Sequence, residues 1–259
     1  MSGDVGRLIA LGVGGLLFGP FATVLVTRLP ERRGVAAGRS ACPGCGTLIR
    51  AVDNIPVVSF LVLRGRCRAC HARISLFYPA IEVAMAALFV AVGIAVRDAW
   101  LDVLLAPFVG VLLAAAVIDA RHRIIPNRLV YASLATFGTY LVVARAAHGA
   151  PSPVDAGLGF LAYGGCLFIV ALVVPGGMGM GDVKLAALIG MVLGSLGLRY
   201  VAVAGMAAVL TGGIGALVAM AAGRGRRQTM PFGPFLAAGA TVASLFGAPV
   251  AAWYVGFLR

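Results

Sequence analysis

The stretch V-L-L-A-P-F-V-G-V-L-L-A-A-A-V-I-D-A-R-H-R-I-I-P-N, residues 103–127, decides the fold class. Residues 103–118 carry no charge, and the run then ends on a carboxylate, Asp119, followed at once by Arg121, His122 and Arg123. An apolar helix that stops at a charged boundary is the pattern of a membrane-spanning segment whose end meets the lipid headgroups. Asp119 is the anomaly in it. A carboxylate at that depth is costly unless it is paired, solvated or protonated, so it needs a reason.

Outward from residues 103–127 the chain repeats the pattern. Hydrophobic residues make up 61% and charged residues 12% of its 259 positions, against about a quarter charged in soluble domains. Segments 8–27, 156–181, 200–223 and 228–258 contain no Asp, Glu, Lys or Arg. Each can cross a hydrocarbon core, which takes about 20 residues. Segments 83–96, 129–144 and 185–198 are shorter uncharged runs. Like 103–118, they become spans when flanking side chains snorkel or when protein sheathes part of the helix. The expectation is an all-α polytopic membrane protein of about eight transmembrane helices. The first run follows Arg7 and continues through Leu25 without a clear small-residue cleavage site, so it reads as a retained helix and not a signal peptide.

A net charge of +12 would point to nucleic acid in a soluble protein. Here its distribution excludes that partner. With the N-terminus outside, residues 28–82, 119–128, 175–184 and 224–227 face the cytoplasm. They hold every basic residue except Arg7, Arg97, Arg145, Arg199 and Arg259, which is the positive-inside asymmetry. The expected location is a cell membrane, with these loops on its cytoplasmic side. A second acid, Asp182 in G-M-G-M-G-D-V-K-L (177–185), then lies on the same face and at the same depth as Asp119.

The chain divides into a first helix (1–27), a small cytoplasmic domain (28–78) and a multi-helix membrane domain (79–259). Turns are expected at Gly149–Pro153 and at the basic stretch Gly223–Gln228. The small domain carries Cys42-Pro-Gly-Cys45 and Cys67-Arg-Ala-Cys70, two hooks separated by 21 residues. Four thiolates on two such hooks can close a tetrahedral, zinc-ribbon-like site, and a short segment without an apolar core needs such a staple. A disulfide is the competing reading, disfavoured in a reducing cytoplasm. Four sulfurs leave no open position, so zinc here is structural. His71 is an alternative ligand or an exposed loop histidine. Cys166, alone in an apolar span, reads as a small buried hydrophobe.

Each aspartate has a plain structural explanation. Asp182 can cap the helix that follows it, and Asp119 can pair with Arg121 or Arg123. Together they suit chemistry, because two close carboxylates share one proton, so that one serves as acid and the other as base toward a water attacking a peptide carbonyl. Gly176, Gly177, Gly179 and Gly181 would let an extended substrate backbone approach Asp182. Lys184 has two readings, a contact with Asp182 or with lipid phosphate. Ile125-Pro126-Asn127 opens the fourth helix, since proline fits a first turn.

At these residues the chain resembles the type IV prepilin peptidases. The resemblance runs through G-P-F-A-T-V-L-V-T-R-L-P (19–30), both cysteine hooks, D-N-I-P (53–56), R-G-R-C-R-A-C-H-A-R-I-S-L-F-Y-P-A-I-E (64–82), D-A-R-H-R-I-I-P-N (119–127), the glycine-rich stretch ending at Leu185, and P-F-G-P-F-L-A-A-G-A (231–240). It implies cleavage of prepilin or pseudopilin precursors at the cytoplasmic membrane boundary, with Asp119 and Asp182 catalytic. It also implies methylation of the new N-terminus from S-adenosylmethionine, an activity associated with the cysteine domain. Glu82 then reads as a methylation or substrate-amine residue, or as an interfacial carboxylate paired with Arg73. Family members often carry serine and asparagine where this chain has Pro20 and Thr23, so a peptidase without methyl transfer is one alternative. A transporter or scaffold with a zinc-stabilised module is another. The arginine-rich surface suits anionic lipid headgroups, which leaves Glu31, Asp53 and Glu82 as the acids available to a basic leader.

Overall fold

The computed structural model describes residues 2–35, 38, 40–149, 151–174, 178–222 and 230–257. Gly176, Gly177, Arg39, Arg259 and the basic turn with Arg224, Arg226 and Arg227 lie outside the described residues. Among the described residues the chain is helical and has no strand. It forms two compact units, Met1–Asp98 and Ala99–Arg259.

In the first unit, α1 (Ser2–Arg28) and α3 (Phe77–Ala95) form an antiparallel hairpin, with the cysteine-bearing segment inserted between them. Glycine sets the closeness of the pair. A Cβ at Gly15 would lie 2.6 Å from the Ala86 Cα, and one at Gly19 would lie 2.7 Å from the Glu82 Cα. Helices that gain no hydrophobic drive from lipid associate through such small-residue faces. At the other end the Arg7 guanidinium donates to the carbonyls of Gly93 and Val96 at 2.6 and 3.0 Å, satisfying acceptors that the end of α3 leaves without helical partners. Pro20 and Thr23 lie within α1, where the buried Thr23 hydroxyl donates back to the Pro20 carbonyl at 2.7 Å. The insert holds a short 3₁₀ turn, Ala51–Asn54, and α2 (Val58–Val62).

The second unit contains α4 (Ala99–His122), α5 (Asn127–His148), α6 (Pro153–Gly159), a π-helical turn (Phe160–Gly164), α7 (Gly165–Val173), α8 (Met180–Gly194), α9 (Leu198–Ala221) and α10 (Gly233–Phe257). Its core sits on α4 and α8, where Leu104, Leu105, Phe108, Leu112 and Ile118 meet full burial, as do Leu185, Leu188, Ile189 and Leu193. The α6 and α8 backbones touch at Gly159, Gly190 and Gly194, where a Cβ on Gly194 would lie 2.7 Å from the Asp155 carbonyl. The glycines are required there because any side chain would force the two helices apart.

Seven helices among the described residues are long and apolar enough to cross a membrane: Asp4–Arg28, Phe77–Ala95, Ala99–His122, Asn127–Ala147, Pro153–Val173, Leu198–Ala221 and Gly233–Trp253. The remaining expected crossing, 185–198, sixth in chain order, lies in α8, whose 15 residues make it shorter than these seven. That is about 22 Å of rise against a core of about 30 Å. Its uncharged sequence is explained by burial in protein. Cys166 differs from expectation: it is exposed on α7 and not buried, because an apolar side chain on a lipid-facing surface has no need of a protein pocket.

Candidate active site and thiolate cluster

Asp119 occupies the last turn of α4 and is 5% exposed. Arg123, at φ +54°, turns the chain out of the helix directly after it. The Asp119 Oδ2 accepts the Gly233 N–H at 2.9 Å. Gly233 is the first residue of α10, so the carboxylate stands at a helix N-terminus, where free amides and the helix dipole favour negative charge. A Cβ at position 233 would lie 2.7 Å from that same oxygen. Only glycine lets the amide come so close.

Asp182 lies in the first turn of α8, three residues after the N-cap Gly179. Its Oδ1 is buried and has no hydrogen-bond partner among the described residues, while a Cβ on Gly179 would crowd Oδ2 at 3.3 Å. Two contacts hold this turn against the loop that follows Asp119. Gly181 packs on Ile125, where an added Cβ would approach the Ile125 Cβ to 3.0 Å. The Lys184 Nζ donates to the Asn127 Oδ1 at 3.0 Å and stands 5.4 Å from the Tyr131 ring centroid. These contacts bring the turn that carries Asp182 against the segment that follows Asp119.

In the first unit the four cysteine sulfurs of Cys42, Cys45, Cys67 and Cys70 all lie within 4.8 Å of one another, and Cys42 Sγ is 3.8 Å from Cys70 Sγ. A disulfide requires about 2.05 Å. Tetrahedral zinc with Zn–S bonds of about 2.3 Å sets sulfurs about 3.8 Å apart, so the donor set and spacing fit a metal ion. The two hooks are built alike. The Cys42 N–H donates to the Thr47 carbonyl at 2.9 Å and the Cys67 N–H to the Ala72 carbonyl at 2.8 Å. Bridges pair Ala41 with Leu48 and Arg66 with Arg73 around them. Gly46 and His71, each just after the second cysteine, take φ +70° and +57°. His71 thus serves as the left-handed corner of its hook, a conformation histidine tolerates better than most residues.

The chain is similar to known proteins over most of its length. Residues 13–96 match the bacterial peptidase A24 N-terminal domain, and residues 106–220 match the type IV leader peptidase family. A prepilin leader peptidase/N-methyltransferase of Bacillus subtilis (strain 168) is 36% identical over 252 residues, covering 96% of this chain and 98% of that protein. The chain belongs to the type IV leader peptidase family. A relative of the same name from Burkholderia pseudomallei (strain 1026b) is 39% identical over 85% of this chain and 71% of its own length. One from Pseudomonas putida is 33% identical over 90% and 88%. No solved structure matches this chain.

Within this family member the remaining candidates find different partners from those the sequence offered. Lys184 bonds to Asn127, not to Asp182. Glu82 accepts the Val57 N–H on Oε2 at 2.7 Å and forms no ion pair with Arg73. Asp53 is held by Arg68, whose Nε donates at 3.1 and 3.0 Å and whose terminal nitrogen donates at 2.6 Å; this guanidinium keeps the Asp53 carboxyl below its ordinary range. Glu31 pairs with Arg33 at 2.9 Å. The acids expected to greet a basic leader are therefore engaged within the insert. Gly233 and Asn127 went unassigned by sequence reasoning. The Gly-Pro pair opening an apolar run at 233 marks a helix start, but its meeting with Asp119 across 114 positions leaves no local trace.

Proposed function

We propose that the protein removes the leader peptide of prepilin-type precursors and methylates the new N-terminus, with Asp119 and Asp182 as the catalytic pair. What supports this reading is that the loop after Asp119 packs against the turn that carries Asp182, with one carboxylate braced by the Gly233 amide and the other holding a buried oxygen without a partner among the described residues. One carboxylate, unprotonated, takes a proton from water as that water attacks the scissile carbonyl. The protonated partner donates its proton to the carbonyl oxygen and takes it back as the tetrahedral intermediate collapses, while the first carboxylate passes the proton it took from water to the leaving amine. The glycine-bounded turn at Gly179 and Gly181 leaves room for an extended backbone beside Asp182.

The substrate's chemistry agrees with this placement. An apolar N-terminal helix lies in lipid while its charged leader stays at the cytoplasmic face, where the positive-inside asymmetry puts both aspartates and the cysteine module. Residues 28–78 act as a zinc-stapled module for methyl transfer, with Cys42, Cys45, Cys67 and Cys70 holding the ion and their arginine-rich surroundings meeting anionic lipid. Zinc there supplies folding stability. S-adenosylmethionine, the donor implied by the relatives' name, supplies the methyl group. No strand and hence no strand–glycine loop–helix cradle occurs among the described residues, so no side chain is assigned to the donor.

The test is reconstitution in anionic vesicles with a precursor carrying a basic leader and an apolar helix, together with methyl-labelled S-adenosylmethionine. The expected product is shortened and labelled at its new N-terminus. A shortened, unlabelled product restricts the protein to peptidase activity, and an uncleaved precursor overturns the proposal.

A further inference from the structure

Val57 is the most unusual backbone position of the insert. At φ +60° and ψ −48°, with the Val58 N–H reaching back to the Pro56 carbonyl at 2.5 Å, it centres a γ-turn of the rare, strained hand. A β-branched residue avoids this region unless its surroundings hold it there. What holds it is Glu82: the Val57 N–H that the turn points outward lands on the Glu82 Oε2 at 2.7 Å, and Glu82 is itself packed against Gly19 of α1. Two residues before the turn ends the 3₁₀ segment that carries Asp53, and Asp53 grips Arg68, which lies between Cys67 and Cys70 of the second hook. A continuous path of contacts therefore runs from the sulfur cluster through Arg68, Asp53 and the Val57 turn to Glu82 and the α1–α3 hairpin.

We infer that Glu82 is a positioning residue for methyl transfer: its carboxylate acts as a hydrogen-bond acceptor that pins the Val57 turn, and through it the second cysteine hook, to the membrane hairpin. The inference rests on the proposed methyltransferase activity for its functional readout, and on the amide of Val57 for a readout independent of it. An acceptor role and a charge role separate cleanly. Glutamine keeps an acceptor oxygen of the same reach and loses the charge, whereas alanine loses both.

The experiment compares the full-length protein with Glu82→Gln, Glu82→Ala and the double variant Val57→Gly/Glu82→Ala, all reconstituted in vesicles. Labelled methyl transfer to a precleaved substrate and hydrogen exchange over residues 53–62 are both followed. Glu82→Gln should stay within about threefold of the parent in methyl transfer, and Glu82→Ala should fall about tenfold or more, the scale of a hydrogen bond to a charged group. Val57→Gly should restore several-fold of that loss, because glycine adopts the turn without being held. Exchange at the Val57 amide should rise in Glu82→Ala and not in Glu82→Gln. Equal loss of methyl transfer in the glutamine and alanine variants would assign Glu82 a charge role and overturn the inference. If the parent transfers no methyl group, the functional proposal fails by itself, and the exchange data decide alone: unchanged protection of Val57 in Glu82→Ala then overturns the positioning role.

Discussion

Gly233 is the residue where one methyl group should matter most. A Cβ there would sit 2.7 Å from the Asp119 Oδ2, so Gly233→Ala must push the carboxylate off the amide or move the start of α10. We expect precursor cleavage to drop by about tenfold to a hundredfold, with kcat falling more than KM rises, since misplacement of a reacting group by an ångström has effects of this size. Steady-state cleavage by the purified variant checks this, and parental kinetics would remove Gly233 from the site. Lys184 predicts a smaller change. Its hydrogen bond to Asn127 is exposed, and Lys184→Met should lower cleavage only severalfold, in line with the modest net worth of such bonds. The aspartates were legible in the sequence because acids are scarce and each ends an apolar run. Gly233 was not, because its importance comes from a contact between distant segments. Val57 was still less legible, since nothing in a valine signals a left-handed backbone.

At the scale of elements, the insert and the helix crossings make separate predictions. Among the described residues of the insert, regular structure is limited to the turn Ala51–Asn54 and the five-residue α2, so we predict that a metal ion on the sulfur cluster carries its fold. Removing metal with a chelator should expose Arg50, Arg64, Arg66 and Arg73 to trypsin while leaving the helical circular dichroism of the membrane segments unchanged. Unchanged trypsin resistance would mean that the four sulfurs hold no structural ion. The α6–α8 crossing depends on backbone contact at Gly159 and Gly190, and Gly190→Leu should destabilise it by about 1–3 kcal/mol, the usual cost of overpacking. A lowered midpoint of thermal inactivation in detergent checks this. The hooks were readable from spacing alone, as were the long helices from their uncharged runs. The length of α8 was not, because an uncharged run reports burial without saying whether lipid or protein provides it. Nor was the π-helical turn at Phe160–Gly164, which no residue type announces.

At the scale of the whole molecule, the proposed topology, argued from the charge asymmetry alone, puts the cysteine hooks and both aspartates on the cytoplasmic side. In a Cys166→Ala background, a membrane-impermeant maleimide should label the metal-stripped hooks in inverted vesicles and not in intact cells; labelling from outside would reverse the topology. The fold class followed from composition and from where charge is absent, and the proposal of a paired-acid site starts from the same scarcity of acids. The internal engagement of Asp53, Glu31 and Glu82 did not, because ion pairs between loops depend on folds that spacing does not specify. The central claim, that Asp119 and Asp182 act as one catalytic unit, is tested most directly by single-turnover cleavage of a prepilin-type precursor by Asp119→Asn, Asp182→Asn and the double variant. Each single substitution should slow cleavage by about 10²–10⁴-fold, and the double variant should be no slower than the worse single one, because groups that work as a unit lose their effect together. Cleavage at the parental rate by either single variant would contradict the account.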